Sequence, residues 1–143
     1  MALTRYELTH VAKPLLMNAE RRMHHHARAA VMREWRQVFH TLAVVNRVPP
    51  CARVGIDVVH TVVKGKLPDA GACFPAVKAA VDGIVDAGVL PDDGPECVAW
   101  IRFHAPRKTG VDSVTLIISN TEEGNGTEQP SRRGRHGDAR STG

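Results

Sequence analysis

Six carboxylates fall within 28 residues of this chain: Asp69, Asp82, Asp86, Asp92, Asp93 and Glu96. Asp92 and Asp93 are adjacent in "VDAGVLPDDGPE", behind a glycine and a proline that favour a stiff turn, with no lysine or arginine within five residues on either side. Lys78, Asp82 and Asp86 recur four apart, which puts them on one helical face. Asp69 precedes that helix and the aspartate pair follows it, about 20 Å apart along the helix by its rise per residue. These acids meet only if the flanking loops fold back over the Lys78–Asp82 face. If they do, an all-oxygen donor set selects magnesium, or manganese, over zinc. Such an ion binds a phosphate, generates a hydroxide nucleophile and stabilises the leaving oxygen of a phosphodiester. Lys78 would then neutralise the transition state or position the attacking water. The plainer reading makes Asp69 a helix cap, Lys78–Asp82 a surface pair and Asp92–Asp93 a turn.

A basic cluster lies upstream in "ERRMHHHAR". Three successive histidines, His24 to His26, cannot all face one ion in regular structure, because a helix turns them apart and a strand alternates them. With Arg21, Arg22 and Arg28, His24 fits a phosphate-contacting surface better. Lys64 and Lys66 add positive charge beside Asp69. The same residues equally describe a solvated loop. Residues 1–66 carry eleven Lys/Arg against four acids, whereas residues 67–119 carry four against seven. That asymmetry suits a protein that holds a polyanion with one part and a cation with the other.

Other chemistries find little support. The four serines, at 113, 119, 131 and 141, make no usable pattern with histidine, and no glycine-rich phosphate loop or GxSxG occurs. Cys51, Cys73 and Cys97 are odd in number and far apart, as expected of buried thiols rather than zinc or redox ligands. No apolar run approaches the ~18 to 20 residues of a membrane span, and the N-terminus alternates instead of forming a signal block. The expectation is an intracellular, cytoplasmic protein with no membrane partner and no small-molecule cofactor.

The elements that would position these residues are readable from their periods. "TRYELTHV" alternates, with Tyr6, Leu8 and His10 on one face of a first strand. "KPLLMNAERRMHHHARA" reads as a basic loop. From Ala27 to Asn46, Val31, Trp35, Val38, Leu42 and Val45 recur at three and four, a long amphipathic helix in which Trp35 packs rather than stacks on a base. "ARVGIDVVHTVVK" reads as a β-branched strand. A second helix carries Phe74, Val77, Val81, Ile84 and Val85 and stops at Gly88. "CVAWIRFHA" and "DSVTLIIS" read as closing strands joined by "PRKTGV". The order β-α-β-α-β-β predicts an α/β (α+β) layer fold: a small mixed sheet with two helices packed on it, over residues 1–119 of the 143. From Asn120 the sequence has almost nothing to bury, which predicts a disordered tail over 120–143.

The segment "DAGACFPAVKAAVDGIVDAGVLPDD" resembles the RusA family of Holliday-junction resolvases, in its actinobacterial and phage form. In that family a D-x-D-N element precedes a helix reading K-x-x-x-D-G-L-x-D-A-G, and a D-D pair follows. Asp69 matches the first aspartate, Lys78 the lysine, Asp82 the helix aspartate, "DAG" at 86–88 the helix end, and Asp92–Asp93 the pair. "LLMNAERRMHHHARAAVMREWR" looks like the family's Asn- and Arg-bearing loop, so the likeness spans roughly residues 5–119. The resemblance implies a homodimer that binds four-way DNA junctions on a basic surface and nicks two strands in recombination, repair or phage DNA processing. It makes Asp69 and Asp93 the magnesium ligands and catalytic residues together with Lys78, supported by Asp82 and Asp92. The chain departs from the family where the second aspartate of D-x-D falls on Gly71 and the asparagine on Ala72. A hard-cation site short of one ligand loses affinity and geometric control. The departure implies an alternative, a junction-binding protein of the same fold that cuts weakly or not at all. A third alternative is a small interaction protein whose acidic loop meets a basic partner.

Overall fold

The structure, a computed structural model, describes residues 4–121. Its elements run β1 (Arg5–His10), α1 (Met17–Arg22), α2 (His25–Val45), β2 (Val54–Val62), α3 (Phe74–Asp86), β3 (Val98–Phe103), β4 (Arg107–Lys108) and β5 (Ser113–Asn120). This is the expected α+β layer fold: a mixed five-stranded sheet with helices packed on it.

Four details differ from expectation, one being the two-residue β4 inside "PRKTGV", which reads as a turn. The stretch read as a basic loop contains α1, only six residues long and so too short to show a period. Glu20 in its first turn and Arg21 and Arg22 in its last complement the helix dipole, and Met17 N–H donates to Ala72 C=O at 2.9 Å, tying α1 to the start of α3. The seam of α2 runs through Trp35, Phe39 and Ala43, while Val45 is 70% exposed. Finally, the chain remains ordered past residue 119. Asn120 ends β5, and the buried Thr121 donates its hydroxyl to Arg53 C=O at 3.1 Å. The rest of the expected tail lies outside the described residues.

The sheet order is β1-β5-β2-β3, with β4 continuing beside β2. β2, richest in β-branched residues, takes the centre, antiparallel to β5 and parallel to β3 across the α3 connection. Register sorts the side chains cleanly. Leu8, Leu116 and Val58 align across three strands, as do Ile118 and Ile56, and all are buried in one core with Trp35, Phe39, Val77, Val81 and Ile84. The opposite sheet face carries Arg5, Asp57, Trp100, Arg102 and Thr115. Gly83 is required where α2 and α3 cross, because a Cβ there would run into the Arg36 carbonyl. Among the described residues no helix is long and apolar enough to cross a membrane, and the three cysteines are buried. Burial pushes the Cys73 thiol up to about 11, which removes its nucleophilic form near neutrality.

Candidate functional site

Helix α3 is buried on most of its circumference, and its exposed strip is Phe74, Lys78, Asp82 and Asp86. Gly88, at φ +87°, ends the helix in a conformation that glycine adopts without strain. Val89 and Leu90 then bury their side chains, and Cys51 N–H donates to Val89 C=O at 2.7 Å. These anchors turn the chain back along α3. Lys78 Nζ consequently donates to Asp82 Oδ1 at 2.9 Å and to Asp93 Oδ2 at 2.8 Å. The two carboxylates hold the Lys78 ammonium above its ordinary range, and Lys78 holds the Asp93 carboxyl below its own. Asp92 turns inward locally, its Oδ1 accepting from Asp93 N–H at 2.8 Å. Asp86 is engaged elsewhere, by Arg36 through bonds of 2.5 and 2.9 Å that brace α2 against α3.

Asp69 stands apart from this group. It lines a groove of about 810 Å³ with Asn18, Arg21, Arg22, Lys66 and Gly71, formed where α1 meets the loop entering α3. The two loops therefore behave differently: the one after α3 folds over the lysine face, and the one before it turns toward α1. Of the expected basic residues, Arg21, Arg22 and Lys66 share the Asp69 groove. Lys64 is exposed in the turn after β2, and Arg28 is half-buried on α2; neither lines the groove. His24 caps α2, its Nδ1 accepting from His26 N–H at 3.2 Å, and the three histidine rings pack with centroids 4.1 to 5.2 Å apart.

These residues do not fit a divalent ion as arranged. Asp82 and Asp93 are hard oxygen donors, but the Lys78 ammonium is their shared cation. Gly71 offers no donor, and among the described residues no three His, Cys, Asp or Glu side chains lie close enough to hold one metal. The uncompensated charge that the sequence suggested at Asp93 is thus compensated by Lys78, 15 residues away. Phe103 Cγ lies 4.0 Å from where a Cβ on Gly71 would sit, so position 71 has room for a side chain but holds φ at +87°.

A second polar cluster lies on the face without helices. Asp57 on β2 accepts from Arg102 Nε at 2.7 Å and from Trp100 Nε1 at 3.4 Å, and His104 Nε2 lies 3.0 Å away. Its signal is the alternation in "WIRFH", which puts residues 100, 102 and 104 on one face, but their meeting with Asp57 depends on the parallel β2–β3 register. Scanned against family models and curated proteins, the chain matches none.

Proposed function

We propose that this chain binds four-way DNA junctions on the RusA plan and that its magnesium-dependent strand cleavage is weak or absent. The observation that carries the reading is the groove in which Arg21, Arg22 and Lys66 stand together, three cations on two separate segments. A phosphate strand in such a groove releases counterions, so affinity comes from charge and falls steeply with salt. Arg28 and Lys64 extend the positive charge around α1 and the turn after β2. Weak cleavage follows from the fit just described: the Lys78 ammonium occupies the space between the two carboxylates, and Gly71 supplies no oxygen. On this reading the protein acts in the cytoplasm in recombination, repair or phage DNA processing. Two copies meet one junction, because a two-fold substrate is matched by a two-fold assembly.

A second reading is favoured by the convergence of Asp82 and Asp93, which the loop after α3 brings to one place, and it requires a divalent ion to displace the Lys78 ammonium between them. The convergence pairs residues that the resemblance places in a nuclease centre, and on this reading the chain is a magnesium-dependent junction endonuclease. The binding claim is tested by titrating a labelled four-way junction and a linear duplex with the wild type and with Arg21→Ala/Arg22→Ala over a salt series. The wild type should prefer the junction, and the double variant should lose about tenfold in affinity with a salt slope shallower by about two. Equal affinity of the two proteins would remove the groove from the DNA surface.

A further inference from the structure

The cluster on the helix-free sheet face also lines a depression of about 540 Å³, whose charged walls are Arg5, Asp57, Arg102, His104 and Arg107. Its construction follows from register. On β1, β5 and β2, Arg5, Ser119 and Gly55 align, and Gly55 aligns with Trp100 on β3; one step along, Asp57 aligns with Arg102. Gly55 is necessary because a Cβ there would run into the Trp100 ring. The indole lies against that glycine, and the Arg102 guanidinium stands 5.1 Å from the ring centroid. Asp57, 15% exposed at its side chain, fixes Arg102 and His104. Burial pushes its carboxyl up, but hydrogen bonds from Arg102, His104 and Trp100 outweigh that and hold it below its usual range.

The charge balance leaves a surplus. Arg102 uses Nε for Asp57 and keeps its terminal N–H groups, while Arg5 and Arg107 have no side-chain partner among the described residues. Three guanidinium groups around one carboxylate leave a surplus of two positive charges and form an anion site. Guanidinium forks match the tetrahedral oxygens of phosphate, and the β-strand backbones under Arg5 and Arg102 fix their spacing.

We propose that this depression binds phosphate, and that the phosphate belongs to the backbone of a nucleic-acid strand. The site rests on the DNA-binding reading for its source of phosphate, though not for its chemistry. It lies on a different face from the Arg21–Arg22–Lys66 groove and gives one chain a second contact with DNA. The indole of Trp100 is a built-in reporter, since its N–H faces Asp57 inside the site.

The test uses the full chain, Arg5→Ala/Arg107→Ala, and Arg33→Ala as a control outside both sites. Each is titrated with a four-way junction over a salt series and with pyrophosphate while the two tryptophan indole N–H resonances are followed. The expected result is about tenfold weaker junction binding by the double variant with a salt slope lower by about two, and an indole shift with pyrophosphate in wild type and Arg33→Ala that the double variant loses. Unchanged junction binding by the double variant would overturn the assignment to a strand while leaving the DNA-binding reading intact. If the wild type ignored DNA yet pyrophosphate moved one indole, the DNA-binding reading would fail and the source would be a free phosphate ester. An indole that never moved would overturn the site. Among the described residues Arg5 and Arg107 have no side-chain partner to lose, so the variant should melt with the wild type.

Discussion

Lys78 Nζ lies 2.8 Å from Asp93 Oδ2 across 15 residues of chain, and the same ammonium lies 2.9 Å from Asp82 Oδ1. One cation is therefore shared by the two carboxylates on which a divalent-ion site would depend, and it stands where such an ion would have to sit. The lysine face of α3 is an ion-pair network, and its charge state follows Lys78.

Lys78→Ala leaves Asp82 and Asp93 without their shared cation and makes the molecule more negative. Junction affinity should fall several-fold, whereas Asp93→Asn should raise it by removing a negative charge and freeing the ammonium. The pair is partly exposed, so either substitution should cost less than ~1 kcal/mol in denaturant melts. An Asp93→Asn protein with reduced affinity would show that Asp93 supports binding by another route.

Two histidines with ring nitrogens shielded from water should make stability fall in mild acid. His10 is half-buried and packs edge-on against Trp35, and His60 is 4% exposed with Nδ1 lacking a partner among the described residues. Burial lowers both values, against weaker opposing effects of Glu34 on His10 and Asp112 on His60. A depressed histidine means the unfolded chain takes up protons first. Its stability contribution is complete above the unfolded value of about 6.5 and is lost as pH falls toward the folded value. His60→Leu should flatten the melting-temperature profile between pH 7 and 5, with a gain of about 1 kcal/mol at pH 5.5. A profile parallel to the wild type would place the acid sensitivity elsewhere.

The acidic and alkaline ends involve Lys78 and Asp93. Depressed Asp93 contributes stability above its unfolded value near ~3.9 and loses it as pH falls through its folded value. Raised Lys78 contributes below ~10.4 and loses it as pH rises through its folded value. Lys78→Met should remove both effects in pH-dependent urea melts; retention of either would point to other groups.

Gly83→Ala should be among the most damaging single-methyl changes in the chain, at about 2–3 kcal/mol, because its Cβ meets the Arg36 backbone instead of a yielding side chain. A melt within 1 °C of wild type would mean that α2 and α3 separate easily.

Much of this was legible in the sequence. The four-residue spacing fixes Lys78 beside Asp82, and alternation finds the strands. The closure of Asp93 was not, because it depends on burial of Val89 and Leu90 and on the Cys51–Val89 backbone bond, which are tertiary facts. Helix α1 is one and a half turns and carries no period. The alternation in "WIRFH" announces a strand but not that residue 57 would stand opposite residue 102, since the register of a parallel pair is set by the crossover between them.

The most direct measurement is incubation of a labelled four-way junction, beside a matched linear duplex, with wild type and Gly71→Asp, in magnesium and in a chelator, reading bound and nicked fractions together. The account predicts tight junction-selective binding by wild type with few or no nicks, and no efficient nicking by Gly71→Asp, because Lys78 still holds Asp82 and Asp93 away from Asp69; that variant should cost about 1 kcal/mol of stability for a non-glycine residue at positive φ. Efficient paired nicks by the wild type would contradict weak cleavage in favour of the endonuclease reading, and no preference for the junction over the duplex would contradict the account at its centre.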